Sequence, residues 1–246
     1  MSILVTGVSG LDRSRAYKDL GTPEAVLELG SVILEIAQER NMTLDEHNIL
    51  HAGRDTLAAL RAAAISRINL RATRSQPQPL IVSTHSVFSR LDGLVEGLTL
   101  VDLRELQPTL WVTLIDGPQA IEDRLRAHTA AYSQLEVWDI VKWQELEVFF
   151  SQHLANDLTV RHYVVPVTQP EAFAAICRGG RRDTAYVSYP MSHAPEPVKA
   201  RIRSFVDRLK NYFIVFDPSA IESSHGTKDH HTQRDRQAIG SHTKSG

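Results

Sequence analysis

The sequence has 246 residues, of which 42% are hydrophobic and 23% are charged, and this composition is typical of a globular protein. A formal net charge of −2 argues against a global attraction to nucleic acid or to an anionic membrane, and the single cysteine, Cys177, excludes a disulfide within the chain. No uninterrupted apolar run approaches the roughly 20 residues of a membrane-spanning helix, and the first residues lack the pattern of a signal peptide. We therefore expect a cytoplasmic protein with one large domain or two small ones, which does not act on a membrane.

The start of the chain has the order strand, glycine-containing loop, helix, which is typical of a phosphate-binding loop. Against the pattern Gly-x-x-x-x-Gly-Lys-Ser/Thr, Gly7 and Ser14 match, whereas Asp12 replaces the second glycine and Arg13 replaces the lysine. Arg13 keeps the positive charge, although its planar fork differs from a lysine point charge. The pattern predicts a nucleotide site with altered chemistry; the alternative is that the glycines only shape the turn between a strand and a helix.

Apolar runs and amphipathic segments alternate along much of the chain. This alternation predicts an α/β fold with a mostly parallel sheet and helices on both of its faces. We predict strands at residues 3–6, 80–84, 109–115 and 162–167, helices at 22–37, 55–70, 101–106, 120–128 and 138–154, and connections at 45–49 and 90–98. Arginines on the second of these helices are predicted to lie on its solvated face; they are Arg54, Arg61, Arg67 and Arg71.

Polar residues follow the strand predicted at residues 80–84. Thr84 and His85 stand at its carboxyl end, and ligands of open α/β sheets bind beyond the carboxyl ends of the strands. His85 is therefore a candidate contact for a nucleotide or a phosphate. The alternative is a histidine whose hydrogen bonds serve the structure only.

Five segments resemble the archaeal-type adenylate kinases and the related P-loop nucleoside monophosphate kinases. They are ILVTGVSGLDRS at 3–14, LIVSTHSVF at 80–88, LWVTLIDGP at 110–118, IEDRLR at 121–126 and VKWQELEVFF at 141–150, and the resemblance covers residues 1–175. Members of that family bind ATP with magnesium and transfer its γ-phosphoryl group to a nucleoside monophosphate. The resemblance implies a donor-phosphate site at Gly7, Gly10, Arg13 and Ser14 with magnesium at Ser14, nucleotide contacts at Thr84 and His85, and catalytic arginines at Arg13, Arg124 and Arg126.

The chain departs from that family in its charged residues. Ser83 stands where the family tends to place an aspartate near the metal, and residues 128–134 lack the further arginines of the family's mobile lid. Because preorganised charges supply most of the catalysis in phosphoryl transfer, these departures leave two functions open. One is a nucleoside monophosphate kinase, and the other is a non-catalytic nucleotide sensor or regulatory module.

The C-terminal part predicts one βαβ unit after a glycine- and charge-rich linker. We predict a kinase-like domain at residues 1–177, a linker at 178–183, the βαβ segment at 184–221 and a disordered tail at 222–246. The runs AYVSYPMSHAP and FIVFDPSAI resemble the opening of nucleoside 2-deoxyribosyltransferase-like domains, which implies an N-glycosidic-bond enzyme as a further alternative. In that family the nucleophilic glutamate comes later than this sequence reaches, so we expect the segment to pack on the first domain or to recruit a protein partner.

Histidines and aspartates in the tail suggest a metal site by residue type alone. A polar tail that lacks periodicity fixes no coordination geometry, so we expect no metal site from His225, Asp229, His230, His231 and Asp235.

Overall fold

The computed structural model describes residues 2–21, 26–45, 48–49, 52–74, 80–90, 93–128, 135–179, 183–189 and 194–217. The strands in these ranges are β1 (Ser2–Thr6), β2 (Val26–Glu28), β3 (Leu80–Ser83), β4 (Val87–Arg90), β5 (Gly93–Glu96), β6 (Leu110–Ile115), β7 (Arg161–Pro166), β8 (Thr184–Tyr186) and β9 (Ile214–Phe216). The helices are α1 (Arg13–Tyr17), α2 (Leu29–Glu39), α3 (Arg54–Arg74), α4 (Leu100–Leu106), α5 (Pro118–His128), α6 (Val137–Asp157), α7 (Pro170–Cys177) and α8 (Glu196–Leu209).

A five-stranded parallel sheet in the order β2-β3-β1-β6-β7 forms the centre of the fold. The strand β1 lies in the middle, because it pairs with β3 on one side and with β6 on the other. Every residue of β1 and β3 is buried, as expected for parallel strands covered on both faces. The predicted α/β fold with a mostly parallel sheet is confirmed.

Alternate residues of β1 face two separate layers of helices. Ile3 and Val5 belong to a core cluster with residues of α5, α6 and α7, whereas Leu4 belongs to a cluster with residues of α2, α3 and α4. This alternation follows from the two-residue period of a strand. The phosphate loop follows the end of β1 and therefore lies between the two layers of helices.

Two predicted boundaries are wrong. Residues 26–28, which the spacing placed in a helix, form β2, and the helix α2 begins only at Leu29; residues 22–25 lie outside the described residues. Pairing of Val26 with Ile81 of β3 outweighs the local helical spacing, because sheet formation depends on distant partners. The segment predicted as a connection at 90–98 contains β5, which pairs with β4 as an antiparallel hairpin.

The C-terminal βαβ unit is confirmed, since β8 and β9 pair in parallel and α8 connects them. It packs on the first part of the chain through α7, which the sequence analysis did not predict. Ile214 of β9 belongs to the same core cluster as Phe173 of α7, and Gln169 Nε2 donates to the Asp217 carbonyl at 3.1 Å. The domain boundaries stay a prediction, and residues 218–246, with the five tail residues considered for a metal site, lie outside the described residues.

None of the described helices combines the length and the apolar character that crossing a membrane would require.

Candidate functional site

The loop after β1 is held close to its surroundings at its two glycines. A Cβ atom on Gly7 would lie 2.8 Å from the Leu114 carbonyl oxygen, and one on Gly10, whose φ is +80°, would lie 2.8 Å from Leu125 Cγ. Both positions therefore exclude a side chain, and Gly10 also needs the left-handed region that favours glycine. The loop thus passes tightly over β6 and α5, with its backbone facing the cleft described below.

Asp12 and Ser14 bond to each other at the start of α1. Asp12 caps the helix, because its carboxylate accepts from the Arg15 N–H at 3.1 Å, and Ser14 Oγ donates to the same oxygen at 2.6 Å. The Ser14 hydrogen bond is the largest cause of a lowered pKa at Asp12. Asp12 is therefore a capping carboxylate, and the Ser14 hydroxyl proton is directed at it.

Arg13 lies at the lysine position and holds together two segments of the site. Its Nη2 donates to the Gly7 carbonyl at 2.8 Å and to the Thr84 carbonyl at 3.3 Å. Arg13 is half-buried and begins α1. Its buried Nε has no hydrogen-bond partner among the described residues, and no hydrogen bond joins Nη1 to another of them.

Thr84 and His85 lie beside the loop, as predicted from the strand end. The Thr84 N–H donates to the Val5 carbonyl, and His85 Nε2 is 3.2 Å from Ser9 Oγ. Burial, aided by the nearby Arg13 charge, lowers the pKa of His85 well below its usual range, so the imidazole is neutral at pH 7. Its ring packs against Phe88, with 4.4 Å between the ring centroids.

The two arginines of α5 have different surroundings. Arg124 Nε donates to the Gly10 carbonyl at 2.5 Å, and Arg124 Nη2 pairs with the buried carboxylate of Asp116. Arg126 pairs with Glu122 at 2.7 Å on the same helix and is largely exposed. Arg124 therefore ties α5 to the phosphate loop, whereas Arg126 is not among the residues that line the cleft.

Ser83 is fully buried where the related kinases tend to have an aspartate. Tyr17 OH donates to Ser83 Oγ at 3.1 Å, and burial raises the pKa of Tyr17 to about 12. This end of β3 therefore presents two neutral hydroxyl groups instead of a carboxylate.

A cleft of about 630 Å³ joins the loop to a second wall formed by α2, α3 and the β4–β5 hairpin. This volume is within the usual range of small-molecule sites. The loop side contains Ser9, Gly10, Asp12, Arg13 and Arg124, and the opposite side contains Glu28, Ile33, Leu34, Ile49, Leu57, Arg61, Phe88, Val95 and Glu96. The cleft therefore has one polar end at the loop and one wall that is largely apolar.

Arg61 belongs to this second wall, so its predicted place on a solvated face is wrong. Its Nε lies 2.7 Å from an oxygen of Asp102, its Nη1 donates to the Gly97 carbonyl at 3.1 Å, and its side chain is only 14% exposed. The signal was present in the sequence, because Arg61 is one helical turn from Leu57 and from Ile65 on the apolar face of α3. By contrast, Arg67 pairs on the surface with Glu39, as the sequence predicted.

Glu147 of α6 is a second residue that sequence reasoning missed. It is 1% exposed, and its carboxylate accepts the Ser86 N–H at 2.7 Å and the Val87 N–H at 2.9 Å. Burial raises its pKa to about 7. Its helical spacing from Trp143 and Ser151, which are also buried, was the available signal.

The donor atoms at the loop suit a nucleotide with magnesium. Gly7 and Gly10 carry no side chain that could cover the N–H groups of the loop, as a phosphate cradle requires, and the contacts that exclude a Cβ at these two positions are with the protein itself. Asp12 and Ser14 bring oxygen ligands together, and Mg²⁺ is bound in nucleotide sites by one or two such ligands together with phosphate oxygens. The described residues contain no cluster of three or more His, Cys, Asp or Glu residues that could hold a metal by itself.

Residues 14–138 match the family model described as an AAA domain (AAA_17). The match spans half of the chain, begins at Ser14 and includes the strands β3 and β6 and the helices α2 to α5. Together with the loop after β1 and the parallel sheet, it shows a P-loop NTPase-like domain of the kinase type. The chain therefore belongs to the AAA domain family and is a nucleotide-binding P-loop protein.

Proposed function

We propose that this protein binds ATP with magnesium at the loop after β1 and transfers the γ-phosphoryl group to a nucleoside monophosphate in the same cleft. The observation that carries the proposal is the continuity of the cleft, which extends from Ser9–Arg13 to the wall of α2, α3 and the hairpin. A donor and an acceptor held in one cavity gain the proximity on which phosphoryl transfer depends.

At the donor end, the loop between Gly7 and Ser14 would hold the phosphates through its backbone N–H groups. Arg13 would add its free Nη1, while Nη2 keeps the loop in place through the Gly7 carbonyl. Asp12 and Ser14 would hold the magnesium ion, which supplies charge neutralisation when it is bound. In this site Ser14 must turn its hydroxyl proton away from Asp12, whose carboxylate accepts it at 2.6 Å.

At the strand end, Thr84 and His85 would contact the nucleotide. Because the His85 imidazole is neutral, it serves as a hydrogen-bonding and packing group and carries no charge to the phosphates. Arg124 would act through the loop by holding the Gly10 carbonyl. A catalytic role for Arg126 stays a prediction.

At the acceptor end, the apolar wall would pack against the flat face of a nucleobase. Phe88, Ile49 and Leu57 line this wall, and aromatic and aliphatic side chains bind bases through such contacts. Arg61 would direct its remaining donor, Nη2, to the acceptor phosphate, because Asp102 and the Gly97 carbonyl already hold Nε and Nη1.

A calorimetric titration with ATP and magnesium tests the donor site, and an assay of ADP formation with the common nucleoside monophosphates tests the transfer. We expect Arg13→Ala to weaken ATP binding by about tenfold, the typical effect of a lost charge-assisted hydrogen bond. Arg15→Ala is the matched control, because Arg15 is exposed on the same helix. Equal affinities of the two variants would remove Arg13 from the site.

The second candidate function is a non-catalytic nucleotide sensor that uses the same cleft. It is favoured by the neutral pair of Ser83 and Tyr17 at the end of β3, where a carboxylate near the metal would assist transfer. The sensor predicts ATP binding without acceptor-dependent ADP formation. The kinase predicts both.

A further inference from the structure

Glu147 lies beneath the candidate nucleotide site and contacts two chain segments that are distant in sequence. Its two carboxylate oxygens accept the N–H groups of Ser86 and Val87, which follow β3. The Gly7 N–H, at the start of the phosphate loop, lies near enough to this carboxylate to favour its ionised form. One buried side chain thus binds the segment after β3 and lies beside the first N–H group of the phosphate loop.

Arg13 completes the arrangement from the other side. It donates to the carbonyl groups of Gly7 and Thr84, whereas Glu147 accepts the N–H groups of Ser86 and Val87 and lies near the Gly7 N–H. Arg13 therefore bonds to both segments through their carbonyl groups, and Glu147 bonds to one of them and lies beside the other. The Arg13 charge also acts on the Glu147 carboxylate.

We propose that Glu147 is a positioning residue that couples the phosphate loop to residues 84–87, and that its charge state controls the affinity for nucleotide phosphate. An ionised carboxylate below the loop repels the phosphates, whereas a protonated carboxyl group does not. Nucleotide binding should consequently be accompanied by uptake of a proton from solvent onto Glu147. This part of the proposal rests on the proposed nucleotide site; the coupling of the two segments does not.

The titration of Glu147 falls in a useful pH range. Burial raises its pKa to about 7, although the backbone N–H donors and Arg13 oppose that shift. Among the other titratable groups around it, burial leaves His85 and His162 neutral between pH 6 and pH 8, Arg13 binds the Gly7 and Thr84 carbonyl groups, and Asp116 is paired with Arg124. Among the described groups near the loop, Glu147 is therefore the one to which we assign a change of charge between pH 6 and pH 8.

The coupling is tested without nucleotide by backbone hydrogen exchange of Glu147→Gln and of the control Glu145→Gln. Glu145 is exposed on the same helix, so its variant should exchange like the wild type. The Glu147→Gln variant should exchange faster at Gly7 and at Ser86–Val87 together, because the neutral amide presents a single acceptor oxygen. Unchanged exchange, or faster exchange at only one of the two segments, would overturn the coupling.

The charge effect is tested by titrating ATP with excess magnesium into the wild type and both variants, in buffers of different ionisation enthalpy from pH 6 to pH 8. If phosphate raises the Glu147 pKa by about one unit, the wild-type affinity falls by about fivefold between pH 6 and pH 8 with net proton uptake. Glu147→Gln should lose both effects and Glu145→Gln should keep them. Proton uptake that persists in Glu147→Gln refutes the charge effect. A wild type that binds no ATP refutes the nucleotide site and with it the charge effect. In that case the hydrogen-exchange result still decides whether Glu147 couples the two segments.

Discussion

Replacing Arg124 by alanine should destabilise the protein and weaken the nucleotide site, whereas replacing Arg126 should do neither. Arg124 pairs with Asp116, whose side chain is only 4% exposed, and it also holds the Gly10 carbonyl at 2.5 Å. Its removal leaves a buried carboxylate without its cationic partner. Arg126 is 53% exposed, and its partner Glu122 keeps a hydrogen bond from Gln119.

The expected magnitude follows from burial. Removing one partner of a buried ion pair costs about 3–5 kcal/mol, and two features of this site reduce the figure. Arg124 is 33% exposed, so solvent already screens part of the interaction, and Asp116 keeps the Gly117 N–H at 2.8 Å. We expect Arg124→Ala to lower the free energy of unfolding by about 2 kcal/mol and Arg126→Ala by less than about 0.5 kcal/mol.

Urea denaturation followed by tryptophan fluorescence measures the difference, since Trp111 and Trp143 are both buried. With a slope of about 2–3 kcal/mol per molar urea, the midpoint of Arg124→Ala should fall by about 1 M or slightly less. In the same samples, Arg124→Ala should bind ATP more weakly than Arg126→Ala. Equal midpoints for the two variants would refute the assignment of Arg124 as the residue that ties α5 to the loop.

Three further predictions concern other positions. Gly97→Ala places a Cβ atom 2.1 Å from the His85 carbonyl oxygen and should cost about 1–3 kcal/mol of stability in the same assay, whereas the control Gly30→Ala meets no atom within 4 Å and should not destabilise. Burial lowers the pKa of His162 to about 4, below the unfolded value of 6.5, so its contribution to stability is present above pH 6.5 and is lost as the pH falls towards 4. A His162→Gln variant should therefore lose less stability than the wild type over that pH range. An identical loss would contradict the assignment. Asp12→Ala removes the cap of α1 and should lower the free energy of unfolding by about 1 kcal/mol, but it frees the Ser14 hydroxyl. The variant should bind ATP without magnesium more tightly than the wild type. Unchanged binding would show that the Asp12 carboxylate does not oppose the phosphates.

The central sheet could be predicted because its strands carry their own signal. The apolar runs at β1, β3 and β6 are long enough to read from local sequence, and all three are buried in the structure. The strand β2 could not be read in this way, because three residues form a strand there only by pairing with β3. The β4–β5 hairpin did have a local signal that the sequence analysis did not use, because Asp92-Gly93 is a dipeptide typical of hairpin turns.

The candidate site was predictable in its position and only partly in its contacts. The loop pattern and the strand-end rule brought Gly7, Ser14 and His85 to one end of the sheet. The carbonyl partners of Arg13 could not be foreseen, because Thr84 is 71 residues away in sequence. Glu147 and Arg61 lie on buried helix faces where a charged residue is read as an exception to the apolar pattern, so their roles emerge only from the packing.

The nucleotide site is best tested by titrating the purified protein with ATP and magnesium and measuring ADP formation in the same sample across the common nucleoside monophosphates. We expect ATP binding that Arg13→Ala weakens and Arg15→Ala does not, together with ADP formation that depends on the acceptor. Binding without ADP formation would contradict the kinase and support the sensor. An absence of ATP binding would contradict the nucleotide site itself and would leave the glycines of the loop with a structural role alone.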